Sequence, residues 1–430
     1  ASKDFSEAVV RPLSKGIRVQ TNGRELRFTI AECGYYTVEL DGWHNALHLF
    51  ANPATDFGVD KEDPKVLYYG PGVHEAGDLE LEDGQTLFVD GGAVLYGSVT
   101  AIQKKNIRIV VYGVIDGSRE VRTSDTLLIT WDFTGPDFCR EEVLRRHLEE
   151  KHVLHGCVHL YSCRDSEVAG VIARDSSTFA FIVADGERVE CKWLKTIGMW
   201  RYNSDGIDLF NCRYVRISNC FLRDFDDCIV LKGIKGWDRK DMHHIHVKGC
   251  TVWCDWGRGL EFGAETCADE YHDILLEDCD LIHGSFAHID IQNLDRGHIH
   301  DVLIEDIRCE YSSYDCPPIY QADMAMPYEE AREREGAGGP WQPRLIDAPI
   351  ADGPFSEDHI LGETYHVRFE DIQILCDEGV PMPECRFAGA GPEHCNHHMV
   401  IENVSRNGIR LKPEEVLLDM GEFDHHIEVR

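Results

Sequence analysis

The sequence predicts an all-β protein, built as a parallel β-helix (solenoid) and preceded by a small N-terminal β-sandwich. Segments with a common pattern recur at steps close to 30 residues, a period typical of stacked supersecondary units. Within each repeat, short alternating apolar runs are separated by Gly, Asn and Asp, which indicates strands and turns rather than helices. The 430 residues are enough for two domains.

The N-terminal region, residues 1–72, alternates in a different style from the rest of the chain. Its runs "RELRFTI", "YYTVEL" and "ALHLFANP" do not recur at the steps of about 30 residues that characterise the repeats. They predict a small antiparallel sandwich, which we expect to cap the open end of the coil stack. Residues 73–430 then form the β-helix domain, and its first coils fall within residues 74–118.

A row of cysteines marks the repeat. Cys191, Cys220, Cys250 and Cys279 follow one another at steps of 29, 30 and 29 residues. Stacked coils would turn them into an interior ladder, in which a thiol is a small, soft hydrophobic group. The 17 cysteines lack the short paired spacings of a disulfide scaffold. Free thiols favour a cytoplasmic location, although a processed N terminus would leave secretion open.

Two segments interrupt the coil pattern. Residues 132–155 include a stretch, 137–154, with Leu and Val at helical spacing. Residues 324–359 are rich in Gly and Pro. Long insertions in a solenoid often lie on its binding face, so the second is expected to form a lid or a subunit contact. A homo-oligomer is therefore a possible assembly.

Charge and hydropathy exclude several classes of partner. The 43 Lys and Arg against 77 Asp and Glu give a formal net charge of −34, which disfavours nucleic acid and anionic membrane surfaces. No apolar run approaches the roughly 20 residues of a membrane span. His244 and His246 share one strand face, but no third ligand is identifiable, so neither a metal site nor a cofactor is predicted.

Three aspartates are expected to meet on the outer wall. Aligning Ile207 of "NSDGIDLF" with Ile229 of "DFDDCIVL" places Asp205 beside Asp227, with Asp226 one residue earlier. A bend at the strand start would turn both members of the Asp226–Asp227 pair outward, and adjacent coils lie about 4.8 Å apart. Such crowding raises one pKa. Inverting glycoside hydrolysis needs a protonated and an ionised carboxyl roughly 6.5–9.5 Å apart.

Two motifs at this spacing carry a family resemblance. "NSDG" (203–206) and "DFDDC" (224–228) resemble the Asn-Thr-Asp-Gly and Asp-Asp signatures of polygalacturonase-type glycoside hydrolases, family 28, over about residues 74–310. The resemblance implies a right-handed β-helix and an inverting hydrolase of oligo- or polysaccharides that needs no cofactor. It makes Asp226 the general acid, with Asp205 and Asp227 holding the attacking water. A dextranase-type family with an N-terminal sandwich is similar in architecture.

The departures from the family pattern concern the substrate. "GRGLEFGAET" has Arg258 where polygalacturonases have histidine, and "HIDIQN" stands where they have Arg-Ile-Lys. An aspartate at that point would repel a uronate carboxylate, so a neutral sugar is expected. Arg258 and Glu261 are expected to orient sugar hydroxyls. The remaining predicted substrate-binding residues are Asn203, Lys232, Trp256, His288 and Asp290.

Other interpretations of the aspartates remain open at this stage. They could cap turns, or bind Ca²⁺ in a polysaccharide lyase with Arg258 as the base. A sugar transferase or cyclase could use the same trio, and a non-catalytic solenoid could bind carbohydrate unchanged. The identity of the sugar, its linkage and terminal or internal cleavage are not encoded in these motifs.

Overall fold

The computed structural model describes residues 1, 4–42, 46–120, 156–201, 203–235, 237, 241–312 and 342–430. Over these ranges the chain is built from strands, with short 3-10 helices at Leu13–Lys15 and Pro413–Glu415. No helix in the described ranges is long and apolar enough to cross a bilayer.

The N-terminal strands are β1 (Ala8–Arg11), β2 (Gln20–Asn22), β3 (Glu25–Arg27), β4 (Gly34–Leu40) and β5 (Leu47–Ala51). The coil strands that follow are β6 (Val66–Tyr69), β7 (Gly72–Glu80), β8 (Thr86–Val89), β9 (Ala93–Ile102), β10 (Arg108–Val111), β11 (Val114–Asp116), β12 (Val158–Tyr161), β13 (Arg164–Ala169), β14 (Ile172–Arg174), β15 (Phe181–Ala184), β16 (Glu187–Lys192), β17 (Lys195–Ile197), β18 (Ile207–Phe210), β19 (Arg213–Ser218), β20 (Phe221–Asp224), β21 (Ile229–Gly233), β22 (Met242–Lys248), β23 (Thr251–Cys254), β24 (Arg258–Thr266), β25 (Glu270–His283), β26 (Ala287–Ile291), β27 (His298–Tyr311), β28 (Arg344–Pro349), β29 (Glu363–Cys376), β30 (Glu384–Ala388), β31 (Asn396–Glu402), β32 (Ser405–Arg406), β33 (Ile409–Arg410), β34 (Leu417–Met420) and β35 (His425–Val429).

The coil strands form a parallel β-helix, as the repeat predicts. Between the ends of the stack, strands pair in parallel with their counterparts one coil earlier and one coil later, so β18 lies between β15 and β21. At the C-terminal end, β32 and β33 pair antiparallel. Three such columns wrap the stack, represented in one coil by β19, β20 and β21. Short strands with αL corners between them, as at Asn211 and Asn219, turn the chain from one face to the next.

The register between coils is the one expected from the aspartate motifs. Ile207 pairs with Ile229, and Leu209 pairs with Leu231, with all four side chains buried in the interior. Because residues alternate across a strand, Asp208 then points to the outer wall. The predicted alignment of the two motifs is confirmed.

The cysteine ladder is shorter than predicted. Cys220, Cys250 and Cys279 are buried on successive coils, since Phe221 pairs with Thr251 and Thr251 with Asp280. Cys191 is also buried but pairs with Ile217, not with the cysteine row. The prediction was wrong for Cys191 because this coil advances 26 residues there, and a residue-count period does not detect such a change.

The N-terminal region has two layers of its own. Strands β1, β4 and β5 form an antiparallel sheet, and the β2–β3 hairpin and its neighbours cover one face around Tyr36 and Val38. The opposite face packs on the flank of the coil stack, where Tyr35 and Phe50 contact Phe221. The sheet therefore lies on the flank of the stack. The expectation that it caps the open end of the stack was wrong.

A buried polar contact also joins the sheet to the coils. Arg11 donates to Glu39 at 3.0 Å and pairs with Glu310 of β27, and His283 of β25 lies 2.7 Å from Glu39. All four side chains are almost fully buried. A buried charge of this kind tolerates only partners that complete its hydrogen bonds, which fixes where the sheet docks.

Parallel pairing begins at Val66, in β6, a few residues before the predicted boundary at 73. Of the two predicted insertions, 132–155 lies outside the described residues, and so does the first part of 324–359. Within the second, β28 pairs with β26 and β30, so Arg344–Pro349 is a coil strand and not part of an insertion. The flanking prolines obscured its alternating apolar pattern.

Ile304→Ala tests how far the interior ladder supports the fold. Ile304 is fully buried in β27, so removing its side chain should lower the free energy of unfolding by about 2–5 kcal/mol. Urea unfolding of both proteins measures the difference. In the control Ile409→Ala the side chain is 71% exposed, and a change within about 0.5 kcal/mol is expected. Equal effects in the two variants would contradict the proposed role of the interior.

Candidate active site

A cleft opens on the outer wall along the column of β18, β21, β24 and β26. Asp205 lies just before β18, and Asp226 and Asp227 lie in the bend between β20 and β21. The residues that line the cleft are Phe179, Asn203, Asp205, Asp226, Asp227, Lys232, Trp256, Arg258, Glu261, Ala264, Glu265, Phe286, Gln292 and Phe355. All three predicted catalytic aspartates are among them.

Backbone donors hold the aspartate pair in place. The N–H of Asn203 donates to Asp226 Oδ2 at 2.9 Å, and the N–H of Arg258 donates to Asp227 Oδ1 at 2.8 Å. Gly257 allows this approach, because a methyl group at its Cα would lie 2.3 Å from Asp227 Oδ1. The neighbouring coils on both sides therefore fix the direction of the two carboxyls.

Lys232 pairs with acidic side chains at the floor of the cleft. Its Nζ lies 3.3 Å from Asp205 Oδ2, 3.4 Å from Asp208 Oδ1 and 3.7 Å from Glu265 Oε2. Asp205, Asp208 and Lys232 are almost completely buried. A single ammonium thus faces three carboxyl groups.

Arg258 is a second cation that lies close to several carboxyl groups. Its Nε lies 3.1 Å from Asp290 Oδ2 and 4.0 Å from Glu261 Oε1, and its Nη1 lies 3.9 Å from Asp227 Oδ1. The amide of Gln292 donates to Glu261 at 3.0 Å. The guanidinium is consequently enclosed by carboxyl groups on three sides.

Burial and mutual repulsion keep protons on these acids. Burial, with the neighbouring Asp227 as the next cause, raises the pKa of Asp226 to about 7. Burial also raises the pKa of Asp208 to about 7, and it holds the pKa of Asp205 and Glu261 well above their usual values. At neutral pH the cleft therefore contains carboxyls that retain their protons.

Aromatic rings form one wall of the cleft. Trp256 stacks on Phe225 at 6.0 Å between ring centroids and meets the edge of Phe286 at 5.4 Å. On the other side of the acids, Phe179 lies under the Lys232 ammonium at 4.6 Å. Flat apolar faces beside polar groups suit a sugar ring, which has both kinds of surface.

The structure places most of the predicted substrate-binding residues at the cleft. Asn203, Lys232, Trp256, Arg258 and Glu261 line it. Asp290 does not line it directly, since it is buried behind Arg258 and holds that side chain.

The prediction for His288 was wrong. Its side chain is fully buried, its Nε2–H donates to the backbone oxygen of Glu310 at 3.2 Å, and its ring lies against Tyr311. The alternation of side chains along the strand does direct His288 away from the coil interior. The turn at Gly284 and the ring of Tyr311 nevertheless shield it from solvent, and the sequence pattern does not reveal these contacts.

Several lining residues were missed by sequence reasoning. Glu265, Phe286 and Gln292 come from the ends of β24 and β26, and Phe355 comes from the stretch assigned to an insertion. Gln292 could have been found, because it follows Asp290 at the spacing of two that keeps residues on one face of a strand. Phe355 gave no such signal.

One cluster outside the cleft has the geometry of metal ligands. Among the described residues, Cys267, Asp295 and Asp358 have potential ligand atoms within 4.8 Å of one another. Asp295 accepts the N–H groups of Thr266, Glu357 and Asp358, and Asp358 pairs with Arg296 at 2.7 Å. These carboxylates are already occupied in closing a loop, so the cluster is explained without an ion.

Asp226→Asn should change the pH dependence of stability. The folded chain keeps the Asp226 proton up to about pH 7, whereas the ordinary pKa is 3.8, so the wild-type protein loses stability as the pH rises between these values. The variant should be more stable than wild type at pH 8, by on the order of a few kcal/mol, and nearly equal to it at pH 4. Urea midpoints at both pH values measure this.

Asp419→Asn is the matched control, since Asp419 is exposed on β34. Its difference from wild type should be small and the same at both pH values. An Asp226→Asn variant that showed no gain at pH 8 relative to pH 4 would disprove the proton assignment.

Comparison with known proteins shows which family these coils resemble. The sequence profile of "Glycosyl hydrolases family 28" matches residues 130–315, a segment that includes the three aspartates. A search of curated protein sequences gave no significant match.

Among solved structures, Dex49A from Penicillium minioluteum superposes with a TM-score of 0.66 at 12% identity, covering 99% of this chain and 79% of that one. A family 28 exopolygalacturonase from Yersinia enterocolitica gives a TM-score of 0.57 at 16% identity, covering 94% and 82%. An exopolygalacturonase from Thermotoga maritima gives 0.54 at 16%, covering 80% and 85%.

At identities this low, the structural matches establish only the fold, a right-handed parallel β-helix. The sequence profile carries the link to the enzyme family. The predicted resemblance is confirmed. The chain is a glycoside hydrolase whose central coils match glycosyl hydrolases family 28.

Proposed function

We propose that this enzyme hydrolyses a glycosidic bond in a neutral oligo- or polysaccharide with inversion at the anomeric carbon. The observation that carries the proposal is the meeting of Asp205, Asp226 and Asp227 in one cleft, with a proton retained near neutral pH. Family 28 itself acts on galacturonan, so the substrate part of the proposal depends on the charges around the cleft.

Asp226 is the proposed general acid. Its carboxyl is buried, is held by the N–H of Asn203, and has a pKa of about 7, so it can carry a proton at the pH where a catalytic acid operates. As the bond to the leaving sugar breaks, this proton passes to the glycosidic oxygen. The leaving group then departs as a neutral alcohol.

Asp205 and Asp227 are the proposed holders of the attacking water. Lys232 Nζ lies 3.3 Å from Asp205 Oδ2, and Arg258 Nη1 lies 3.9 Å from Asp227 Oδ1, so a cation lies beside each of the two carboxyls. An ionised carboxylate can take the proton of the water as the oxygen attacks the anomeric carbon. The positive charge that develops on the sugar ring is stabilised by the surrounding carboxylates.

The charge around Arg258 supports a neutral substrate. A uronate needs a cation that is free to pair with its carboxylate, but Arg258 is enclosed by Asp227, Glu261 and Asp290, and Lys232 faces three further acids. Both cations are already paired with acidic side chains of the protein, and a uronate carboxylate would have to compete with them. Sugar hydroxyls, in contrast, can donate to Glu261 and accept from Arg258.

The products of a substrate panel test the proposal. Neutral oligosaccharides and polygalacturonate are offered to the wild-type enzyme, and the first anomer released is read by NMR. Turnover of a neutral sugar with the inverted anomer is expected. Turnover of polygalacturonate alone would overturn the neutral-substrate proposal. A retained anomer, an unsaturated product or a transferred sugar would overturn the mechanism.

Asp226→Asn tests the acid. Loss of the proton donor should lower kcat by about 10²–10⁴-fold with little change in fold, which circular dichroism monitors. A leaving group that needs no protonation, such as a dinitrophenyl glycoside, should recover a large part of the rate. A variant with near-normal activity on the natural type of substrate would exclude Asp226 as the acid.

Gly257→Ala tests whether the position of Asp227 matters. The added methyl would clash with Asp227 Oδ1 at 2.3 Å and with its backbone nitrogen at 2.7 Å, so the carboxyl must move. A displacement of this order should lower kcat/KM by about 10²-fold. Gly91→Ala is the control, because no atom lies within 4 Å of the added methyl there. Equal activities in the two variants would argue against a role for Asp227.

A further inference from the structure

A row of stacked rings runs along a corner of the coil stack, away from the residues that line the cleft. The rings of His243, His272, His300, Tyr365, His397 and His425 follow one another on successive coils, with centroids 4.9–5.6 Å apart and planes within 14° of parallel. The next residue in each coil has a positive φ near 50°, a conformation that Asn, Asp and His tolerate well. The αL position turns the chain, so adjacent side chains both reach the surface.

Each of the last two coils, which are neighbours, has histidine at both positions. His397 and His398 of β31 lie beside His425 and His426 of β35, and His397 pairs directly with His425. The rings of His398 and His426 are 4.7 Å apart, and those of His425 and His426 are 4.9 Å apart. Backbone strain explains a histidine only at the αL positions, 398 and 426, so it does not explain the whole group.

Hydrogen bonds indicate which ring nitrogens present lone pairs. His397 Nε2 lies 3.2 Å from Glu363 Oε2, so its proton is on Nε2 and its Nδ1 holds the lone pair. A carboxylate behind a histidine in this way is the usual second shell of a metal ligand. His425 Nδ1 lies 3.2 Å from the backbone oxygen of Phe423, which leaves Nε2 as its lone-pair nitrogen.

A hydrogen bond joins the two nitrogens at the centre of the group: His398 Nδ1–H donates to His397 Nδ1, so the two atoms face each other and an ion between them would displace this proton. His397 Nδ1 and His398 Nδ1 are 2.8 Å apart. Two nitrogen ligands about 2.0 Å from one ion are about 2.8 Å apart in the square-planar geometry that Cu²⁺ and Ni²⁺ adopt, and about 3.3 Å apart in the tetrahedral geometry of Zn²⁺. Because His425 and His426 are exposed, rotation of their side chains can bring further nitrogens to the same ion.

We propose that His397, His398, His425 and His426 form a binding site for a divalent transition-metal ion such as Zn²⁺, Ni²⁺ or Cu²⁺. Neutral imidazole nitrogen is the ligand type that these ions prefer. The net charge of −34 draws cations toward the surface. The site is separate from the proposed hydrolysis, whose residues lie on another face of the coils.

A second histidine pair in the chain serves for comparison. His243 Nδ1 and His244 Nδ1 are 2.9 Å apart, but the coil that follows presents His272 and Asp273 in place of a second histidine pair. Fewer imidazoles are available there, so this pair should bind an ion more weakly than the C-terminal group.

Zn²⁺ titration of the full-length enzyme by calorimetry at pH 7.5 tests the site. The wild-type chain should bind one ion tightly. The double variant His398→Asn, His426→Asn should bind it at least tenfold more weakly, and asparagine keeps the αL backbone at both positions. The control His244→Asn should retain the tight ion. Hydrolase activity and circular dichroism should be unchanged in the double variant.

Cu²⁺ electron paramagnetic resonance on the wild-type enzyme gives a readout that needs no variant. Nitrogen hyperfine structure from at least two imidazoles is expected at pH 7.5 and should be lost at pH 5, where protons occupy the ligand nitrogens. The proposal is overturned if the double variant binds Zn²⁺ as tightly as wild type, if His244→Asn abolishes the tight site, or if the copper spectrum shows no nitrogen coupling.

Discussion

Pairing between successive coils is the constraint on which the other features of this protein depend. Once Ile207 pairs with Ile229, the residues just before each strand lie side by side about 4.8 Å apart, and Asp205 meets Asp227. The interior supports this register, because a slip of one residue would exchange the apolar ladder for the acidic outer wall. The cleft is therefore held by the same contacts that hold the fold.

The acids of the cleft illustrate how a fold can hold an unfavourable charge distribution. Asp205, Asp208 and Asp226 are buried close together with raised pKa values, so each resists ionisation. Lys232 and Arg258 offset part of this repulsion without removing it. These raised pKa values lower the stability of the folded chain at high pH, and a carboxyl that keeps its proton near neutral pH is also what acid-catalysed hydrolysis requires.

A solenoid repeats a backbone position on every coil, and a side-chain type that suits the position can recur with it. On one face this brings carboxyl groups together around the bend at Asp226, and at another corner it stacks imidazoles up to His425. The physical device is the same in both places. A residue type that the local backbone favours recurs on successive coils. The stacked side chains then lie close enough to change one another's charge and hydrogen bonding.

The sequence by itself determined the parallel β-helix and the meeting of the three aspartates, because both follow from a period and from the alternation of residues along a strand. The tertiary structure alone decided that His288 is covered by Tyr311, that Phe355 reaches the cleft, and that the N-terminal sheet docks on the flank of the coils. These depend on contacts between segments distant in sequence, which no local pattern records.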